Sequence, residues 1–379
     1  MIQVIEGNIV FPNKIEFGQL IIEDQKIAEI ILNKSEFRNA DIKAKENEFI
    51  SAGFIDLQIN GAFGKEFKTD EDAIQVVSNE IYKFGTTSFC PTVTTSDINK
   101  YPSFTASLIN NYKFAGQTKL IGLHLEGPML NPQKVGAQNA TLLKTPKEID
   151  IDKYVNPNVK IVTFSPELEG SENFIEELKK RKIKIGFGHS TITYEQVTKI
   201  FDANNMMIVH LFNAMDGLGS REPGLVGAGM ANDYYFSIIP DGIHLHNKTM
   251  EIVWNSKQNK NKLLSISDGS AVTGLEIGTY NIGERVITKS ETKATLPNGT
   301  LVGSILTLNK AVKNLMAFCG ATLYEAVNTV SLNPASYLGL ENEIGQIKKG
   351  NFADILIFDE NIKISKTFIN GKLIYSINE

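Results

Sequence analysis

Between about residues 51 and 344 this chain alternates short apolar runs with amphipathic helical stretches, and that alternation restricts the fold more than any other feature. The apolar runs are GFIDLQI (53–59), TTSFCPTV (86–93), KLIGLHLE (119–126), VKIVTFS (159–165), IKIGFGH (183–189), MIVHLF (207–212), YFSIIPDG (235–242) and KLLSISD (262–268). Helical periodicity is clearest in 70–85, 171–182 and 193–204. Strands separated by helices pair in parallel, and eight such units predict a (β/α)8 TIM-type barrel. A doubly wound sheet shares the alternation. It does not gather residues from so many strand ends at one place, whereas a barrel builds its site from the C-terminal ends of its strands. Gln58, Asn60, Glu126, His189, His210, His244 and Asp268 all mark such ends.

Outside this region the pattern changes. Residues 1–50 and 345–379 carry short alternating runs such as IQVIEGNIVF and ADILIFD, separated by glycine and charged turns. That is the signature of small antiparallel strands. It predicts a small β-sandwich domain made from both chain ends, with the catalytic barrel (51–344) inserted between them.

All five histidines fall between positions 124 and 246, each in a short polar motif. Two imidazoles and a carboxylate form a standard ligand set for a catalytic divalent ion. Glu126 ends a run that is apolar on both sides, where a carboxylate is costly to desolvate unless it is paired or metal-bound. His189 and His210 end successive strands, which a barrel places side by side. Together these three predict a site for one divalent metal, zinc first, with iron, cobalt or manganese suiting the same ligands. His124 shares the strand face of Glu126; it is a further ligand, an orienting residue or a packing residue. Asp268 in ISDGS reads as general base, with a helix N-cap as the structural alternative. His244 is read as a contact to a substrate carbonyl and His246 as a loop residue. The glycine-rich stretch 213–230 is predicted to be a flexible loop, and Arg221 within it is either an anion clamp or an ordinary surface arginine.

Composition removes several classes. A net charge of −5 and no basic tract with aromatics argue against nucleic acid as a partner. No apolar run reaches the roughly 18–20 residues of a membrane span. The N-terminus lacks a signal-peptide layout, and Cys90 and Cys319 form no CxxC, so reduced core cysteines and a cytoplasmic location are expected.

HLEGP (124–128), GHS (188–190), HLFNAM (210–215), DGIH (241–244) and SDG (267–269) stand in the order found in N-acetylglucosamine-6-phosphate deacetylases, which the chain resembles. SAGFIDLQINGAFG and GQIKKGNFADILIFD add to the likeness, which covers essentially the whole sequence. The resemblance implies a metal-dependent barrel enzyme acting on an amino-sugar phosphate as a homodimer. It implies Glu126, His189 and His210 as metal ligands, Asp268 as acid/base and His244 near the acetyl carbonyl. It places Ala137, Gln138, Asn213, Ala214 and Arg221 at the sugar phosphate, with Leu301, Val302 and Gly303 closing the pocket. Two departures stand out. Gln58 and Asn60 occupy the place where many relatives carry HxH for a second ion, and Gln138 replaces a histidine that helps hold phosphate in some members.

Overall fold

The computed structural model describes residues 2–257 and 260–377; Met1, Gln258, Asn259, Asn378 and Glu379 lie outside the description. Eight parallel strands form the central sheet: Phe54–Ile59, Thr86–Thr94, Leu123–Glu126, Val159–Phe164, Lys184–Phe187, Met206–Ile208, Tyr235–Ile238 and Leu263–Ser265. Each pairs with the next in chain order, and each falls on one of the predicted runs. They read as continuous apolar segments because both faces are covered; Phe54–Ile59 is buried at every position.

The last and first strands meet through hydrogen bonds at one end and are bridged by the segment 330–333 at the other. At the C-terminal end Asp268 N donates to Gln58 O at 2.9 Å and Asn60 N to Gly269 O at 2.8 Å. At the opposite end Ile55 N donates to Val330 O at 2.7 Å. There the buried Asn333 amide donates to Lys260 O and Leu263 O at 2.8 and 2.7 Å. These contacts complete a TIM-type barrel.

The second sheet runs Lys372–Ser376, Ile364–Ile369, Ile355–Asp359, Glu48–Ala52, Gln3–Phe11, Lys14–Glu23 and Lys26–Ile31, so strands from both ends of the sequence share it. Ile5, Ile9, Leu20, Ile50, Ile355, Ile357 and Phe368 make its core. Gly53 N donating to Asp354 O at 2.9 Å and an ion pair between Lys119 and Asp354 tie it to the barrel.

Several local features differ from the sequence reading. The run 119–126 is broken into Lys119–Leu120 and Leu123–Glu126. Gly122 lies between them at φ +155, where a Cβ would sit 2.5 Å from Asn158 O. The helical stretch 70–85 contains only the helix Ala73–Ser78 and a 3-10 turn, Ile81–Phe84. The glycine-rich stretch is not loop throughout, because Gly224–Ala231 is helical and buries Leu225, Val226 and Ala228. Its small residues allow close seating on the barrel. A small antiparallel sheet follows the last barrel strand: Gly278–Ile282, Arg285–Lys289 and Ala294–Thr295, over a core of its own that includes Val272, Ile287 and Val302. Among the described residues no helix is long and apolar enough to cross a membrane. Cys90 and Cys319 are both free.

Asn333 tests the closure. Leucine there would remove both bonds, and the loss at the buried Leu263 carbonyl costs about 1–3 kcal/mol before relaxation. Asn333→Leu is expected to lower the urea midpoint of unfolding; an unchanged midpoint would show that the seam is held elsewhere.

Candidate active site

Glu126, His189 and His210 converge at the C-terminal mouth of the barrel. One ligand atom from each lies within 4.8 Å of the others, and all three residues are buried. His210 Nε2 is 3.1 Å and His189 Nε2 3.5 Å from Glu126 Oε1. Each ring is oriented through its other nitrogen: His189 Nδ1 donates to Lys134 O at 2.8 Å and His210 Nδ1 to Asn213 O at 3.2 Å. With Nδ1 carrying the proton, both Nε2 lone pairs face a carboxylate oxygen. Such a cluster repels itself unless positive charge sits at its centre. The donor set and its tautomers therefore fit a divalent cation. Burial pushes the Glu126 carboxyl up, but His189 and His210 outweigh it and hold it well below the usual range. Burial pulls His210 down, and Glu126 overrides that and raises it.

Two amides donate to Glu126. Gln58 Nε2 reaches Oε1 at 2.8 Å and Gln138 Nε2 reaches Oε2 at 3.0 Å. Gln138 Oε1 also accepts from Thr95 N at 2.8 Å. Its amide, assigned above to a substrate phosphate, is thus engaged in fixing the carboxylate. Asn60 Nδ2 donates to Asp268 Oδ1 at 2.8 Å. Gln58 and Asn60 thus hydrogen-bond the two carboxylates, in the position where HxH would present imidazoles.

His189, His210 and Asp268 all have left-handed backbones, at φ 51, 34 and 47. Non-glycine residues rarely adopt this conformation, and each instance costs on the order of 1–3 kcal/mol. It turns the side chain off the strand direction at the strand end. Ser165 Oγ donates to His189 O at 2.6 Å, and His210 N donates to Ser237 Oγ at 2.8 Å. Ser304 N donates to Asp268 O at 2.8 Å. Burial and the charge of Glu126 raise the Asp268 carboxyl, while His210, His244 and Asn60 pull it down.

These groups line a cavity of about 310 Å³, at the lower end of the range for small-molecule sites, about 300–1,000 Å³. Ala137, Gln138, Asn213, Ala214, His244, Leu301, Val302 and Gly303 line it too. His244 Nδ1 is anchored on Asp241 Oδ2 at 2.7 Å, which leaves Nε2 unspent. Gly303, at φ +54, permits the close approach of 301–303: a Cβ there would lie 2.5 Å from Asp268 O.

His124, His246 and Arg221 do not line this cavity. His124 is buried, with Nδ1 on Leu57 O at 2.8 Å and Nε2 on Thr163 Oγ1 at 2.7 Å. Burial pushes it down to about 4, so it is a neutral packing residue with both nitrogens used. His246 is exposed and caps the helix Asn247–Ser256. Arg221 is exposed and does not line the cavity. Glu222 draws its loop toward Tyr194, whose N–H it accepts at 2.8 Å. The charged residues Glu66, Lys68 and Arg285 do line the cavity. Sequence reasoning missed all three. KEFK after the first barrel strand offered a weak signal, and Arg285 in a hairpin beyond the last strand offered none.

Residues 49–374 match the model of the Amidohydrolase family. The chain belongs to the amidohydrolase family. Within that family it is 31% identical over 350 residues to an N-acetylglucosamine-6-phosphate deacetylase of Caenorhabditis elegans, covering 87% of this chain and 83% of the relative. It is 28% identical to an N-acetylgalactosamine-6-phosphate deacetylase of Escherichia coli O157:H7, covering 94% and 96%. The crystal structure of an N-acetylglucosamine-6-phosphate deacetylase from Thermotoga maritima superposes with a TM-score of 0.87 at 28% identity, covering 99% and 100%.

Outer groups that hold metal ligands typically affect affinity by about 10–100-fold. Gln138→Ala is expected to weaken divalent-ion retention by about that factor in competition with a chelator. Unchanged retention would mean that Gln138 does not brace Glu126 in the metal-bound protein.

Proposed function

We propose that this amidohydrolase removes the acetyl group from N-acetylglucosamine 6-phosphate, giving glucosamine 6-phosphate and acetate. The observation that carries the reading is a carboxylate outside the ligand set, Asp268, lining the same small cavity as the Glu126–His189–His210 cluster. Relatives that bear this name, matched over 83% and 100% of their own length, support it.

When bound at the cluster, a divalent ion would supply acidity to water, lowering its pKa from about 15.7 toward about 7, and an electrophile for the acetyl oxygen. Glu126, His189 and His210 would hold it. Asp268 accepts the proton of the attacking water, whose oxygen bonds to the acetyl carbon. It then passes that proton to the amide nitrogen, so that the C–N bond breaks with an amine as leaving group. His244, steadied by Asp241, contacts the acetyl carbonyl through Nε2. Ala137, Asn213, Ala214 and 301–303 enclose the sugar.

Zinc as the ion, one ion per chain, a homodimer, a cytoplasmic location and the division into 1–50 with 345–379 and 51–344 belong to the same reading. The ligand set supports zinc, and the amides at Gln58 and Asn60 support a single ion. The exposed apolar Leu218 and Ile252 offer surface for self-association. A second reading, the galactosamine epimer, is favoured by the likeness to the E. coli O157:H7 relative.

Acetate release from the two acetylated hexosamine phosphates distinguishes the epimers, and turnover of neither would overturn the proposal. Asp268→Asn is expected to lower kcat by about 10²–10⁴-fold with metal content unchanged. Full activity, or a lost metal, would remove Asp268 from proton transfer. Elemental analysis of protein purified without added metal should give about one ion per chain; about two would contradict the single-ion assignment.

A further inference from the structure

The fourth barrel strand, Val159–Phe164, sends no ligand to the Glu126–His189–His210 cluster, although the third and fifth on either side of it each supply one. A carboxylate nevertheless stands just beyond its C-terminal end: Glu167, half-buried in the turn that follows. Glu167 is outside the cluster and does not line the cavity. The chemistry above gives it no part.

Its oxygens are spent on the two neighbouring segments. Oε1 accepts from Asn131 Nδ2 at 2.7 Å, in the loop after the third strand, and from Thr191 N at 2.8 Å. Oε2 accepts from Ser190 Oγ at 2.5 Å. Ser190 and Thr191 directly follow His189. Asn131 Nδ2 also donates to Thr191 Oγ1 at 3.0 Å. The same two segments hold the ligand itself. Asn131 N donates to His189 O at 3.1 Å, and Lys134 O, three residues along that loop, accepts from His189 Nδ1 at 2.8 Å. An ionised carboxylate only accepts, and hydrogen bonds to it are about twice as strong as neutral ones. His189 leaves its strand with a left-handed backbone at φ 51, a conformation that persists only when its surroundings hold it. Glu167 fixes the chain just after that turn, and the loop that orients the ring hangs on the same carboxylate.

We infer that Glu167 is a positioning residue for the metal ligand His189: it locks the 131–134 loop to Ser190 and Thr191 and so aims His189 Nε2 at the cluster. It acts through His189 and neither binds the ion nor carries a proton. The inference rests on the metal-site reading above and is independent of the substrate.

Zinc retention by the whole protein, in competition with a chelator, tests it. Glu167→Ala removes every acceptor and is expected to weaken zinc binding by about 10–100-fold, the usual weight of groups that orient metal ligands. Glu167→Gln keeps an oxygen for Asn131 and Thr191 and should recover most of that loss. A residue that only stabilises the barrel would lower the urea midpoint of Glu167→Ala and leave zinc affinity as in wild type. That result, or equal losses in the two variants, overturns the inference. Should Glu167→Ala fail to fold, Asn131→Asp makes the same test. It keeps an oxygen for Gln133 N, 2.9 Å away, but sets a second carboxylate against Glu167. Undiminished zinc retention there overturns the inference too. Nitrogen NMR of histidine-labelled protein without metal separates the inference from the metal reading. The neutral His189 ring should carry its proton on Nδ1 in wild type and in Glu167→Gln, and exchange between tautomers in Glu167→Ala. If wild type retains no zinc yet shows this difference, the positioning role stands and the metal site falls. The same tautomer in all three proteins sinks the positioning role.

Discussion

A carboxylate carried to the end of a strand that is buried on both faces must be met by charge or donors, and the rest of the site is arranged around meeting Glu126. Gln58, Gln138 and His210 stand within 3.1 Å of its oxygens, and His189 stands 3.5 Å away. They come from the first strand, from the loop after the third, and from the ends of the fifth and sixth. One side chain therefore couples four parts of the barrel rim. Removing a single partner leaves a charged group short of compensation in a region of low dielectric, where such a deficit is expensive. The same shortage gives the cluster its affinity for a cation.

The geometry of the rim also stores strain. His189, His210 and Asp268 leave their strands in a left-handed conformation, and each is secured by a backbone hydrogen bond to a neighbouring segment. Barrel packing supplies the stability that offsets this. The seam between the last and first strands has a second role for the same reason. Asp268 N binds Gln58 O across it, so closing the barrel and placing the proposed base are one event.

Much of this was legible in the sequence. The eight barrel strands declared themselves because strands covered on both faces must be apolar throughout. Glu126, His189, His210 and Asp268 stood out because polar residues at the ends of such runs have few structural uses. Residues whose partners are distant in sequence were harder. Gln138 looks like a ligand-binding amide until the fold brings Thr95 and Glu126 to it. Arg221 sits in a glycine-rich segment that suggested mobility, yet Glu222 and the buried helix Gly224–Ala231 anchor one side of that segment. The sheet 278–295 has strands of two to five residues, mostly exposed or half-buried, so it carries almost no periodic signal. Arg285 was invisible for that reason. Its partner, Glu66, lies 219 positions away.

The sheet shared by both ends of the sequence bears on how the protein is made. Glu48–Ala52 has Gln3–Phe11 on one side, but on the other its neighbour is Ile355–Asp359, about 300 residues later. At about 5–20 residues per second, translation leaves that edge open for roughly 15–60 s. An unpaired strand edge is a template for another chain. A ribosome-bound nascent chain thus holds a partly built barrel beside an adhesive border, and crowding on a polysome raises the local supply of identical borders. The last strands to emerge act as a latch that ends this exposure, so the hazard grows with any pause in elongation before residue 355.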